Sequence, residues 1–202
     1  RMGLSFKTLS DEQDKLLLGI LSAGLSLEGY EKVETIRSLE VILREMEGAE
    51  HRDLERYHIL FFGEPSADGN WTVRYEGHHV SLHWTFVAGK LVSGSPQFLG
   101  SNPAEVRIEN PQKGLRVLAN EEDFARALVL SLTDEQKALA VIGQKVPNDV
   151  FTANQPKVEP LEDLGIRYDQ LSKDQQMQLK TLINVVARIQ SEEVANIRLN
   201  KL

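Results

Sequence analysis

The hydrophobic period of this chain changes twice. Up to about residue 50 the apolar residues recur every three or four positions; from Arg56 they alternate, and after Pro103 the longer period returns. A period of 2 buries one face only as a strand, and a period near 3.6 only as a helix. The switches therefore divide the chain into a helical stretch at 1–50, a β-meander at 55–100 and a second helical stretch at 102–202. The expected fold class is α+β, with helices flanking a small antiparallel β-meander and a long C-terminal helix, all within a single domain over residues 1–202.

Local signals set the boundaries. Ser10-Asp11-Glu12-Gln13 reads as a capping box ahead of Leu16, Leu17, Leu18, Ile20 and Leu21, which predicts a helix over 11–23. Ser26 caps a second helix to residue 47, carrying Tyr30, Val33, Ile36, Leu39, Leu43 and Met46, and Gly48 ends it. Residues 56–62 and 71–87 read as strands around the turn-rich string Glu64-Pro65-Ser66-Ala67-Asp68-Gly69-Asn70, with Gly77 marking a bulge or sharp bend. Ala88-Gly89-Lys90 turns the chain into Leu91-Val92-Ser93. Asn102-Pro103-Ala104-Glu105 has the composition of a helix start, and further helices are expected over 121–131 and 134–142. Residues 147–160, with three prolines, read as a connector. The longest helix is expected over 172–199, with a stripe of Leu179, Leu182, Ile183, Val186, Ile189, Val194 and Ile197.

Charge and motifs narrow the function by exclusion. A net charge of −7 without a cluster of Lys and Arg points away from nucleic acid, whose affinity comes from basic side chains displacing counterions. No uninterrupted apolar run is long enough for membrane insertion. Nothing after Arg1-Met2-Gly3 resembles a signal peptide, so an exported mature form and a cytoplasmic protein both stay open. With no cysteine, thiolate chemistry and disulfides are excluded. Serine-elbow, zincin, phosphate-loop and dinucleotide motifs are absent.

The five histidines all lie between positions 51 and 83, and such clustering invites a metal reading. Spacing tests it. On a strand His79 and His83 would be roughly 13 Å apart, too far to share one ion. Alternation places His78 with Val80, Leu82, Trp84 and Phe86 on an apolar face, as a buried, hydrogen-bonded histidine; His58, alternating with Leu60 and Phe62, receives the same reading. His79 falls on the polar face beside Gly77, the more accessible ring, where a ligand could approach. Arg74 and Glu76 share a face, either as an ion pair or with Glu76 as a carboxylate ligand or general base near His79. The candidate binding residues are thus His79, His78, Glu76 and Arg74, with His79 the candidate metal ligand.

Several strings occur in a distinctive order: Phe62-Gly63-Glu64-Pro65, then Glu76-Gly77-His78-His79-Val80-Ser81-Leu82, then Phe98-Leu99-Gly100-Ser101-Asn102-Pro103-Ala104-Glu105-Val106. Together with Gly114-Leu115-Arg116, Glu121-Glu122-Asp123 and Leu132-Thr133-Asp134-Glu135-Gln136, they resemble the bacterial family called domain of unknown function 3500. The resemblance implies a family and no activity. It also implies further sequence before Gly3 and, after the C-terminal helix, an H-x-H pair followed by a Trp-Arg string; histidines two apart on a strand lie about 6 to 7 Å apart on one face and can chelate one ion. In a family metal site, His78-His79 would supply one ligand and that segment two. At position 83 the family implies Asn as often as His. The functional expectation is a member or fragment of this family that in full-length form is a metal-dependent, hydrolase-like enzyme using a divalent transition metal. The alternative is a non-catalytic module that binds a small molecule or protein through the sheet face. Apolar surface left over on the C-terminal helix or at a sheet edge predicts self-association.

Overall fold

The computed structural model describes residues 3–153, 155 and 157–201. Asn154 and Pro156, in the expected connector, lie outside the described residues. The chain forms two compact units, Arg1–Ala119 with Asn184–Leu202, and Asn120–Ile183.

The first unit holds a six-stranded antiparallel sheet. Its strands are β1 (Leu4–Ser5), β2 (His58–Phe62), β3 (Trp71–Glu76), β4 (Val80–Val87), β5 (Lys90–Ser93) and β6 (Gln97–Leu99). The order is β1-β2-β3-β4-β5, and β6 pairs with the opening residues of β4, Val80↔Leu99 to Leu82↔Gln97. The unit also contains α1 (Asp11–Gly24), α2 (Leu27–Glu47) and, near its end, α6 (Glu192–Leu199). The expected caps form. Ser10 and Gln13 make a reciprocal capping box, Ser26 accepts from Gly29 N–H, and Gly48 closes α2 in the left-handed region at φ 62°. Each such cap contributes on the order of 1 kcal/mol.

One face of the sheet carries the core. Ile59, Val73, Tyr75, Val80, Leu82 and Trp84 pack against Leu17, Leu21, Leu25, Val33, Ile36 and Ile189. The opposite face is polar and half-exposed: in register across it lie His58↔Glu76↔Ser81 and Leu60↔Arg74↔His83. His58 therefore does not belong to the core. Ile59, one position on, is the buried residue, because the core-facing register of β2 is fixed by Ile59↔Tyr75 and Phe61↔Val73.

Four further expectations are corrected by backbone hydrogen bonding. Residues 71–87 are two strands: Gly77 N–H donates to Val80 O at 2.8 Å, so His78 and His79 form the two-residue loop of a hairpin. No helix starts at Pro103. Val106 is fully buried, its N–H donates to Leu115 O at 3.0 Å and its O accepts from Gly114 N–H at 2.7 Å, a loop pairing that takes the place of helical bonds. The expected helix over 172–199 is broken into α5 (Lys173–Ala187) and α6, leaving α2 the longest helix among the described residues. At the break Gln190 forms a bridge with Leu25 and is fully buried. Its Oε1 accepts from Trp84 Nε1 at 2.7 Å, and its Nε2 donates to Gln97 Oε1 at 2.7 Å, which also accepts from Arg198 Nη1 at 2.8 Å. A helix continued through 190 would remove these partners. The fourth correction is β1, which pairs Leu4↔Ile59 and Ser5↔His58 outside the expected meander.

The second unit contains α3 (its first residue, Ala119, excepted; Ala119–Ser131), α4 (Asp134–Ala140) and the larger part of α5. Gln136 and Gln175 exchange side-chain amide bonds at 2.9 and 2.8 Å, and Gln175 Nε2 also donates to Ser131 O at 2.8 Å. Among its described residues only Leu132, Leu171 and Gln175 are buried. No helix among the described residues is long and apolar enough to cross a membrane.

Candidate functional site

A cleft of about 480 Å³ opens where the β3–β4 loop meets α2 and the turns that follow it. Its chemistry begins with a misplaced charge. Glu40 stands four residues after Ile36 and three before Leu43, on the stripe by which α2 joins the core, and is only 5% exposed. A carboxyl taken out of water needs a hydrogen-bonding partner. The hairpin loop supplies one: His78 Nδ1 lies 2.7 Å from Glu40 Oε1. The tight turn that aims His78 depends on Gly77, whose Cα lies against the ring of buried Tyr57; a Cβ there would come within 2.1 Å of it.

Arg52 covers this pair. Its backbone O accepts from Arg44 Nε at 2.7 Å, and its guanidinium makes a two-pronged contact with Glu47, at 2.8 and 3.1 Å. Nη1 is then 3.0 and 3.1 Å from the two ring nitrogens of His78. An atom nearly equidistant from both nitrogens lies over the ring and not along either lone pair. The Glu47 carboxyl is held below its ordinary value by the Arg52 hydrogen bond. Asp53, on the cleft wall, is likewise lowered by its ion pair with Lys7.

His79 stands beside this arrangement. Its ring centroid is 4.0 Å from that of His78, it is half-buried, and its Nε2 is enclosed with no hydrogen-bond partner among the described residues. Burial, then the neighbouring His78, lowers its pKa below 6.5. The expected contrast of a buried His78 and an accessible His79 does not hold, since both are half-buried. They belong to a loop, where strand alternation has no force.

Of the four candidate residues, the structure brings together His78 and His79. Arg74 and Glu76 lie instead on the polar sheet face, paired with each other at 3.2 Å. There the pKa of His83 is lowered by burial and then by Arg74. Most of the cleft lining is not singled out by the sequence, the two residues that contact His78 included. Glu40 was detectable as a charge on an apolar stripe, whereas Arg52 sits in a turn-rich stretch with no period to mark it. Among the described residues no group of three or more His, Asp or Glu is placed to hold a metal ion.

A family model described as "Protein of unknown function (DUF3500)" matches residues 1–202. No curated protein and no solved structure matches the chain.

Proposed function

The chain belongs to the DUF3500 family of proteins of unknown function, and we propose that its cleft is the site of a hydrolase-like enzyme in which His78 is the general base that activates water. The observation that supports this is the 2.7 Å contact between His78 Nδ1 and a carboxyl that is 5% exposed. With Nδ1–H donated to Glu40, the neutral ring presents Nε2 as its acceptor, and the carboxylate behind it stabilises the imidazolium formed when a proton is taken. Water is the nucleophile this cleft favours, because the hydroxyl of Ser5, which also lines it, is donated to Glu55 O at 3.0 Å. Glu40 acts as a positioning residue.

The test is turnover of a panel of chromogenic esters and amides by the full chain and by folded His78→Asn and Glu40→Gln variants. General-base catalysis contributes about 10²- to 10⁴-fold, so His78→Asn is expected to lose at least 10²-fold. Wild-type turnover retained in that variant would overturn the reading.

The metal-dependent form of the proposal places a divalent transition metal at His79, and what supports it is the enclosed, unpartnered Nε2. The described residues offer no third donor beside it. Metal analysis of untreated protein and of His79→Ala tests this; unchanged content in the variant removes His79. The rival proposal, a non-catalytic binding module, would use Arg74 and Glu76 on the polar sheet face, where Phe62 and Phe98 are 46% and 49% exposed. Ligand binding lost on Arg74→Ala, with no turnover by the wild type, would favour it.

A further inference from the structure

We propose that the cleft selects a substrate bearing a carboxylate, and that Arg56 is the residue that binds this group; the inference rests on the cleft being the site. Three cationic side chains line the cleft, Lys7, Arg52 and Arg56. They are not equivalent. Lys7 is neutralised by Asp53. Arg52 spends its Nε and Nη2 on Glu47 and its Nη1 on the face of His78. Arg56 donates Nη1 to His51 O at 3.1 Å and has no carboxylate within ion-pair distance among the described residues. A bond to a neutral carbonyl orients a guanidinium without cancelling its charge, and leaves the remaining N–H donors as a planar fork. Such a fork matches the two oxygens of a carboxylate.

The acidic residues on the same walls set the ligand's charge. Glu40 is committed to His78, and Asp53 to Lys7 and to Glu55 N–H. Glu50, which is exposed, keeps its charge free in the cleft. With one uncompensated guanidinium and one uncompensated carboxylate among its lining residues, the cleft cannot hold a dianion well, because a second negative charge adds to Glu50 and to an overall charge of −7. A monoanion with one planar carboxylate suits the site better than a phosphate ester. In the proposed reaction Arg56 would anchor this group while His78 Nε2 works on the bond to be hydrolysed.

The test is titration of the full-length chain with sodium acetate, sodium benzoate and inorganic phosphate at matched ionic strength, followed by calorimetry and by NMR of the imidazole protons. Saturable carboxylate binding is expected, weakened at least about tenfold in Arg56→Gln, as the loss of a charge-assisted hydrogen bond implies. Arg56→Lys should be intermediate, since it keeps the charge but not the fork, and it serves as the second variant if Arg56→Gln fails to fold. Equal carboxylate affinity in wild type and both Arg56 variants overturns the inference, and so does phosphate binding more tightly than acetate. His78→Asn separates the two proposals. Carboxylate binding kept and turnover lost supports both; full turnover with binding kept removes His78 as base and leaves the Arg56 assignment standing.

Discussion

Gly77 leaves no room for a side chain, because a Cβ would lie 2.1 Å from the Tyr57 ring. Gly77→Ala must displace Tyr57 or open the hairpin, and overpacking of this kind costs about 1–3 kcal/mol; urea unfolding should show a loss in that range, together with lower turnover because the same turn aims His78. Two histidines set a pH dependence. Burial lowers the pKa values of both His79 and His83 below 6.5, so just below that pH the unfolded chain holds more protons than the folded one. Their contribution to stability is full above pH 6.5 and is lost as the pH falls through the depressed folded values. Urea midpoints measured between pH 7.5 and 5.5 should decline in wild type, and the decline should be shallower in a His79→Asn, His83→Asn double variant. The candidate site was half-legible. The Gly77-His78-His79 string stands out in the sequence, but His78's partner is 38 positions earlier on a helix. Glu40 could be noticed as an anomaly on its stripe, yet nothing local tells which loop will meet it.

At the scale of elements, capping chemistry located α1, α2 and α4 closely, since Ser10, Ser26, Gly48 and Thr133 act within a few residues of themselves, and the period of 2 located the sheet region but neither β1 nor the hairpin that divides 71–87. The failures share a different cause. Arg188-Ile189-Gln190-Ser191 contains neither Gly nor Pro, so the apolar stripe runs through it unbroken and hides the end of α5; the trace of a new helix is only Ser191 followed by Glu192 and Glu193. What breaks the helix is distant: Trp84, Gln97 and Leu25 claim Gln190. Gln190→Ala removes one buried and one part-buried hydrogen bond, leaves a cavity, and leaves the Trp84 indole N–H only Gly24 O, at 3.2 Å. A loss of about 2–4 kcal/mol is expected by chemical denaturation. Gly29→Ala should be at least as damaging, because a Cβ at that point of α2 would lie 2.0 Å from Ile189 O. If Gln190→Ala unfolds at the wild-type midpoint, the side-chain bonds of Gln190 to Trp84 and Gln97 are not what holds the C-terminal segment.

For the whole molecule, apolar exposure is concentrated in one stretch. Val146, Phe151, Leu130, Leu161 and Leu164, all within Asn120–Ile183, are 63–91% exposed, against Leu16 and Leu27 in that range in the first unit. Surface of this kind drives association, so light scattering coupled to size-exclusion chromatography should show self-association that rises with concentration. A monomer at all concentrations, binding no hydrophobic dye, would contradict this. We also propose that residues 1–202 melt as a single domain, since the first unit is closed only by Asn184–Leu202, which follow the second unit in the chain; one calorimetric transition is expected, and two would separate them. The placement of Ile189 and Gln190 in the core of the first unit has a consequence for the making of the protein. A ribosome releases the sheet and its helices first, and then needs roughly 3 to 13 s, at 5–20 residues per second, to produce residues 120–183. Throughout that interval the nascent chain carries a sheet whose Trp84 and Leu25 still await their last partners. Folding of the first unit is therefore completed after synthesis of the second, and the unfinished intermediate is the form on which a chaperone or a protease would act.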